Sequence, residues 1–176
     1  MIKKKIVNYM RLNLRIKIGN YTLFGMISKT QTLKGITSKV IGKEKEHLHY
    51  IFWDLEGCSL EEAKETLTNV QYEFKLGNIF ITSDYPKSFR AWCFSIRDFK
   101  TFMHILWHTK YVDYNFIYWT IQRANATLRI SNKEGRQPQE LICILRGYEN
   151  PKIPNEMIKV LYDTGIEKRG KVLNIG

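Results

Sequence analysis

The stretch His47-Leu48-His49-Tyr50-Ile51-Phe52-Trp53-Asp54-Leu55-Glu56-Gly57 constrains the fold of this chain more than any other. From Leu48 to Trp53 no residue is formally charged and most are aromatic or β-branched, the composition of a strand buried on at least one face. Gly57 ends the run. Ser59-Leu60-Glu61-Glu62 follows as a capping box, with acids in the first turn where the helix dipole favours them. Side chains alternate across a strand, so Asp54 and Glu56 leave by one face at its C-terminal end. Open α/β and α+β sheets usually place chemistry at that end. Two carboxylates there repel each other unless a divalent cation or a shared proton lies between them; otherwise both simply end a strand in water.

A chain of 176 residues suits one domain with a full core and room for a small appendage. With 44% hydrophobic and 13% aromatic residues it is not a disordered chain, and no run approaches the roughly eighteen apolar residues of a membrane span. Met1-Ile2-Lys3-Lys4-Lys5 is a charged head with no apolar run behind it, unlike a signal peptide. Cys58, Cys93 and Cys143 match neither a disulfide framework nor a zinc pattern, which points to an intracellular, cytoplasmic protein. The net charge of +11 is uneven: residues 1–46 carry eleven Lys or Arg against Glu44 and Glu46, while the other 130 residues are nearly balanced. A basic N-terminal quarter on a near-neutral body suits a polyanion, and nucleic acid fits better than a membrane surface because no amphipathic helix is legible there.

In chain order, Leu12, Leu14, Ile16 and Ile18 alternate with Arg11, Asn13, Arg15 and Lys17, the pattern of a half-buried strand with a cationic outer face. Gly19-Asn20 is a two-residue turn signal, so 21–27 is expected to fold back as a hairpin. Residues 28–45 read as loop with room for one short strand. After the central strand, Ala63, Leu67, Val70 and Phe74 recur at helical spacing to about Lys75, and Gly77 is a natural stop. Residues 78–82 and 89–96 are apolar strands joined by the polar turn 83–88. Asp98 caps a second helix that carries Phe99, Phe102, Met103 and Leu106. Residues 111–121 suit a turn of helix followed by a strand; 127–131 and 140–145 suit strands, and 155–162 a last helix after Pro154, with a loose tail beyond Gly165. This order predicts an α+β fold, an RRM-like mixed or antiparallel sheet covered by helices. The basic hairpin and loop (1–46) would pack on a single core (47–176).

Four further places carry chemistry-bearing residues: Lys87-Ser88-Phe89-Arg90, Val112-Asp113, Arg123, and 127–133, where Thr127, Arg129, Ser131 and Lys133 share one strand face as a run of donors suited to phosphate. Together and in this order, over about residues 47–136, they resemble the archaeo-eukaryotic primase–polymerase superfamily. Its pattern is an apolar strand ending in acid-x-acid, a Ser-x-His entering a strand, a later apolar-Asp, and a basic strand and turn. The resemblance implies that Asp54, Glu56 and Asp113 hold Mg²⁺ or Mn²⁺ for nucleotidyl transfer. It also implies that Ser88, Arg129 and Lys133 grip a nucleoside triphosphate over a DNA or RNA template. Arg90 stands where the family has histidine and Glu56 where it usually has aspartate. Arginine can bind phosphate bidentately but cannot act as a neutral imidazole. No zinc-binding segment or helicase domain is legible, which leaves room for a separate helicase or replication partner.

Two other readings use the same residues. His47-Leu48-His49 fits the His-hydrophobe-His pair of rolling-circle replication initiators, with Tyr111, Tyr114 or Tyr118 as nucleophile. Alternation places this pair on the face opposite Asp54 and Glu56. On any of these readings Arg11, Arg15 and Lys17 of the hairpin are the candidates for nucleic-acid binding. A non-catalytic, basic module on the same RRM-like sheet would stack bases on Tyr21, Tyr50, Trp53, Trp92 or Trp119.

Overall fold

The computed structural model describes residues 11–28, 35–40, 47–130 and 139–162, and divides into two compact units, Met1–Thr32 and Leu33–Gly176. In the first unit β1 (Arg11–Ile18) and β2 (Tyr21–Ser28) form the expected antiparallel hairpin. Ile18 pairs with Tyr21 across Gly19-Asn20, and Gly19 takes φ +58°, a left-handed conformation that costs glycine nothing. Of the apolar positions expected to be half-buried, Ile16 and Ile18 are exposed, as are Tyr21, Leu23, Arg15 and Lys17, while the side chains of Leu12 and Leu14 lie outside the described ones. A two-stranded ribbon has no second layer of its own with which to cover a face.

The second unit runs β3 (Gly35–Thr37), β4 (Leu48–Glu56), α1 (Leu60–Glu73), β5 (Ile79–Tyr85), β6 (Ser88–Asp98), α2 (Phe99–His108), α3 (Tyr114–Arg123), β7 (Thr127–Arg129), β8 (Glu140–Leu145) and α4 (Asn155–Tyr162). Its main sheet has the order β4-β6-β5-β8, every neighbouring pair antiparallel. The fold is α+β, with antiparallel sheets packed with helices. Strand β6 lies between β4 and β5, so β4-α1-β5 is a split β-α-β unit. Strand β3, inside the segment read as loop, pairs with β7 and so belongs with the second unit. The chain continues from β3 onto the β4 edge, where the Val40 amide donates to Leu48 and the Tyr50 amide to Ser38.

The two faces of the main sheet differ. Ile51, Trp53 and Leu55 are fully buried, and the Trp53 indole N–H donates to Thr109 Oγ1 at the end of α2, so this side faces the helices. Helix α2 buries Phe102, Ile105 and Leu106; α1 buries Ala63, Leu67 and Val70. On the other side cross-strand pairing makes two rows. Phe52, Trp92 and Phe80 form an apolar row, and Asp54, Arg90 and Thr82 a polar one beside it. The polar row is what positions the site.

Two local readings are corrected. Residues 111–121 do not turn into a strand. Asp113 caps α3 by accepting from the Asn115 and Phe116 amides, and Phe116, Ile117 and Thr120 bury one helical stripe. The aromatic and branched content suited a strand, but the cap decided. The turn at 83–88 is tighter than its polarity suggested: both strands continue to Pro86-Lys87, where Lys87 takes φ +60°. Gly77 is also more than a helix stop. Lys75 supplies the left-handed residue after α1 (φ +49°), while a Cβ on Gly147 would lie 2.3 Å from the Gly77 carbonyl carbon. The two glycines let these segments cross.

Candidate active site

Asp54 and Asp113 are brought together by main chain. Leu55 and Val112 form an antiparallel bridge, the Glu56 amide donates to the Tyr111 carbonyl at 3.0 Å, and the Asp113 amide donates to the Asp54 carbonyl at 2.8 Å. Tyr111 reaches this pairing with φ +65°, an unfavourable conformation for a residue with a Cβ. Ala124 closes α3 with φ +48°. Strained non-glycine residues therefore flank both ends of the segment that carries Asp113, a placement common at functional sites.

The two carboxylates line one cavity of about 190 Å³, with Asn115, Trp119 and Arg123 of α3 and with Asn125 and Thr127 beyond it. Asp54 is half-buried, and among the described residues no side chain hydrogen-bonds its carboxylate. Burial pushes its pKa up to about 6; Arg90 opposes the rise, and Glu56, Asp113 and Asp84 add to it. The Asp113 oxygens accept the capping bonds at 3.1 and 3.3 Å, and a carboxylate oxygen has acceptor capacity beyond one such bond. Glu56 is exposed at the strand end and does not line the cavity. The acid triad is thus a pair in the cavity and a neighbour outside it. Among the described residues, no group of three or more His, Cys, Asp or Glu side chains is arranged to hold a metal ion. Two carboxylates still suit one hydrated Mg²⁺ or Mn²⁺ that also takes phosphate oxygens.

The expected phosphate grip is arranged differently. Arg90 is buried, donating from Nη2 to Asp84 Oδ2 at 3.0 Å and from Nη1 to Gln139 Oε1 at 3.1 Å. Arg129 Nη2 donates to the same Asp84 oxygen at 3.0 Å. Gln139 and the Trp92 indole both donate to Thr82 Oγ1, joining these groups in one buried network. Arg90 therefore holds the sheet face together and is not presented to a triphosphate. Ser88 is buried at the start of β6, and Lys133 lies outside the described residues. Arg123 is the basic candidate that lines the cavity. Asp84 was missed in the sequence because a polar Asp before Tyr-Pro reads as a turn residue.

The histidine pair does not form a site. His49 is buried, bonded to Ser38 Oγ at 3.0 Å and packed on the rings of Phe99 and Phe102, while His47 is exposed. Burial holds the His49 imidazole below its usual pKa, and Lys39 adds to the lowering. The Tyr111 hydroxyl donates to Glu62, and the negative charge of Glu62 raises its pKa, the opposite of activation as a nucleophile. Tyr114 and Tyr118 are exposed on α3. Comparison with family models, with curated proteins and with solved structures finds no match for this chain. Among the described residues no helix is long and apolar enough to cross a membrane.

Proposed function

We propose that the chain is a metal-dependent nucleotidyltransferase of primase–polymerase type, acting with nucleoside triphosphates on a DNA or RNA template. The observation that carries this reading is the Asp54–Asp113 pair, which residues 59 positions apart deliver to one cavity through the Leu55–Val112 bridge. Asp54, half-buried and with no side-chain hydrogen bond to its carboxylate among the described residues, and Asp113, fixed by its capping bonds, are the residues that would hold Mg²⁺ or Mn²⁺. When bound, such an ion supplies charge neutralisation and Lewis acidity for in-line phosphoryl transfer. Arg123, on the wall of the same cavity, meets phosphate oxygens as a guanidinium fork. Arg90 and Arg129 keep the sheet beneath the carboxylates in register through Asp84.

Incorporation of a labelled nucleotide on a primed template, with and without Mn²⁺, tests the reading. Asp54→Asn and Asp113→Asn are each expected to abolish metal-dependent incorporation, while His47→Ala leaves it in place. Cleavage of single-stranded DNA that needs His47 and His49 and ignores Asp54 would instead establish the rolling-circle chemistry.

A further inference from the structure

We propose that Trp119 and Arg123 form a track for an unpaired nucleic-acid strand, with a base stacked on the Trp119–Arg123 pair and its phosphate on Arg123. The track takes its reaction from the function proposed above, but the observations that define it lie on α3. Asn115, Trp119 and Arg123 follow one another at single-turn spacing and line the cavity as one stripe. Phe116, Ile117 and Thr120 are the buried residues of the helix, and Phe116 and Thr120 also line the cavity beside this stripe. Trp119 remains 50% exposed. Arg123 Cζ lies 5.0 Å from its ring centroid, and Tyr118 meets the indole edge-on at 5.2 Å. A guanidinium held over an indole keeps its N–H edge for phosphate and offers a planar surface to a base.

The other aromatic residues of this unit that the sequence offered for stacking, and two of its arginines, are already engaged. Trp53 and Trp92 are fully buried with their indole N–H groups bonded inside the core, and Tyr50 packs on Phe94. Arg90 and Arg129 share Asp84, whereas the Arg123 guanidinium has no hydrogen bond or ion pair among the described residues. Size gives the same answer. A cavity of about 190 Å³ falls below the roughly 300 Å³ at which pockets begin to enclose drug-sized ligands. Trp119 lines its wall and is half-exposed, so the indole stays accessible to a base from outside. Stacking there requires a base that is out of a duplex, so the occupant is single-stranded. A net charge of +11 attracts such a polyanion.

The test is a titration of the full chain, in EDTA to prevent turnover, with a labelled oligothymidylate and with a duplex of equal length. The single strand is expected to bind more tightly than the duplex. Trp119→Ala should weaken it by roughly 5- to 150-fold, and Trp119→Phe should recover most of the loss. Arg123→Gln should lower the slope of log affinity against log salt by about one. In Trp107→Phe protein, oligothymidylate should quench the emission of Trp119. Unchanged affinity in Trp119→Ala, or a duplex bound as well as the single strand, overturns the track. Circular dichroism of each variant separates lost stacking from lost folding, and Trp119→Phe keeps the test decisive if the alanine variant unfolds. Metal-dependent incorporation is read separately, so failure of the catalytic reading leaves these binding results interpretable by themselves.

Discussion

The Asp113 amide donates to the Asp54 carbonyl across 2.8 Å, so the two acids that line the cavity are tied by their backbones and not by their side chains. Either carboxyl can therefore be neutralised without breaking the link that brings them together. That property makes the site open to direct test.

For Asp54 the expected signature is a gain in stability that depends on pH. Its pKa in the folded protein, about 6, lies above the ordinary value of 3.8. The folded state thus holds the proton more tightly, and this contribution is complete below pH 3.8 and lost as pH rises through 6. In EDTA, Asp54→Asn should raise the melting temperature at about pH 7.5 and leave it nearly unchanged at about pH 4. Equal melting temperatures at the higher pH would show that the carboxylate is ionised there without cost.

Asp84 is expected to matter more to folding than either arginine it serves. Asp84→Ala leaves two buried or half-buried guanidiniums facing each other and should cost roughly 3–5 kcal/mol in urea unfolding. Arg90→His should cost less, because Arg129 still neutralises Asp84. If Asp84→Ala proves the milder change, the network does not hold this face as described.

His49 makes a prediction that separates packing from chemistry. Replacing it removes the packing on two rings and the Ser38 bond, so His49→Ala should destabilise by roughly 2–4 kcal/mol. The exposed His47→Ala should change stability by less than about 0.5 kcal/mol. Because the folded imidazole has a depressed pKa, its contribution is whole above pH 6.5 and is lost as pH falls through the lower folded value. Replacement by phenylalanine should flatten that acid limb in a pH series of melting curves.

The hairpin is tested by charge. Reversing Arg11, Arg15 and Lys17, all on β1, should weaken binding to any nucleic-acid sequence. Its salt slope should fall by about 0.7–0.9 for each phosphate that the hairpin no longer neutralises. Since Arg15 and Lys17 are exposed, the melting temperature should hardly move. Unchanged binding at low salt would place the strand elsewhere on the protein.

Short-range signals carried much of this protein's structure in the sequence alone. The capping box is one: Glu62 accepts from the Ser59 amide at 2.7 Å while Ser59 Oγ accepts from the Glu62 amide at 3.2 Å, an exchange across three residues. Gly19-Asn20 likewise set the hairpin register, and strand alternation put His49 on the side opposite Asp54. These features depend on neighbours within a turn of helix or a strand repeat, so the order of residue types determines them. The resemblance added the order in which Asp54 and Asp113 occur, but only the tertiary structure put both on one cavity and left Glu56 outside it. It also gave Arg90 and Arg129 the same carboxylate, that of Asp84, and left Arg123 for the cavity. Partners 45 residues apart are chosen by strand register and by which side chain reaches a desolvated carboxylate. The crossing of Gly77 and Gly147 has the same origin, because close approach of two backbones is a property of packed layers that leaves no periodic mark in a sequence.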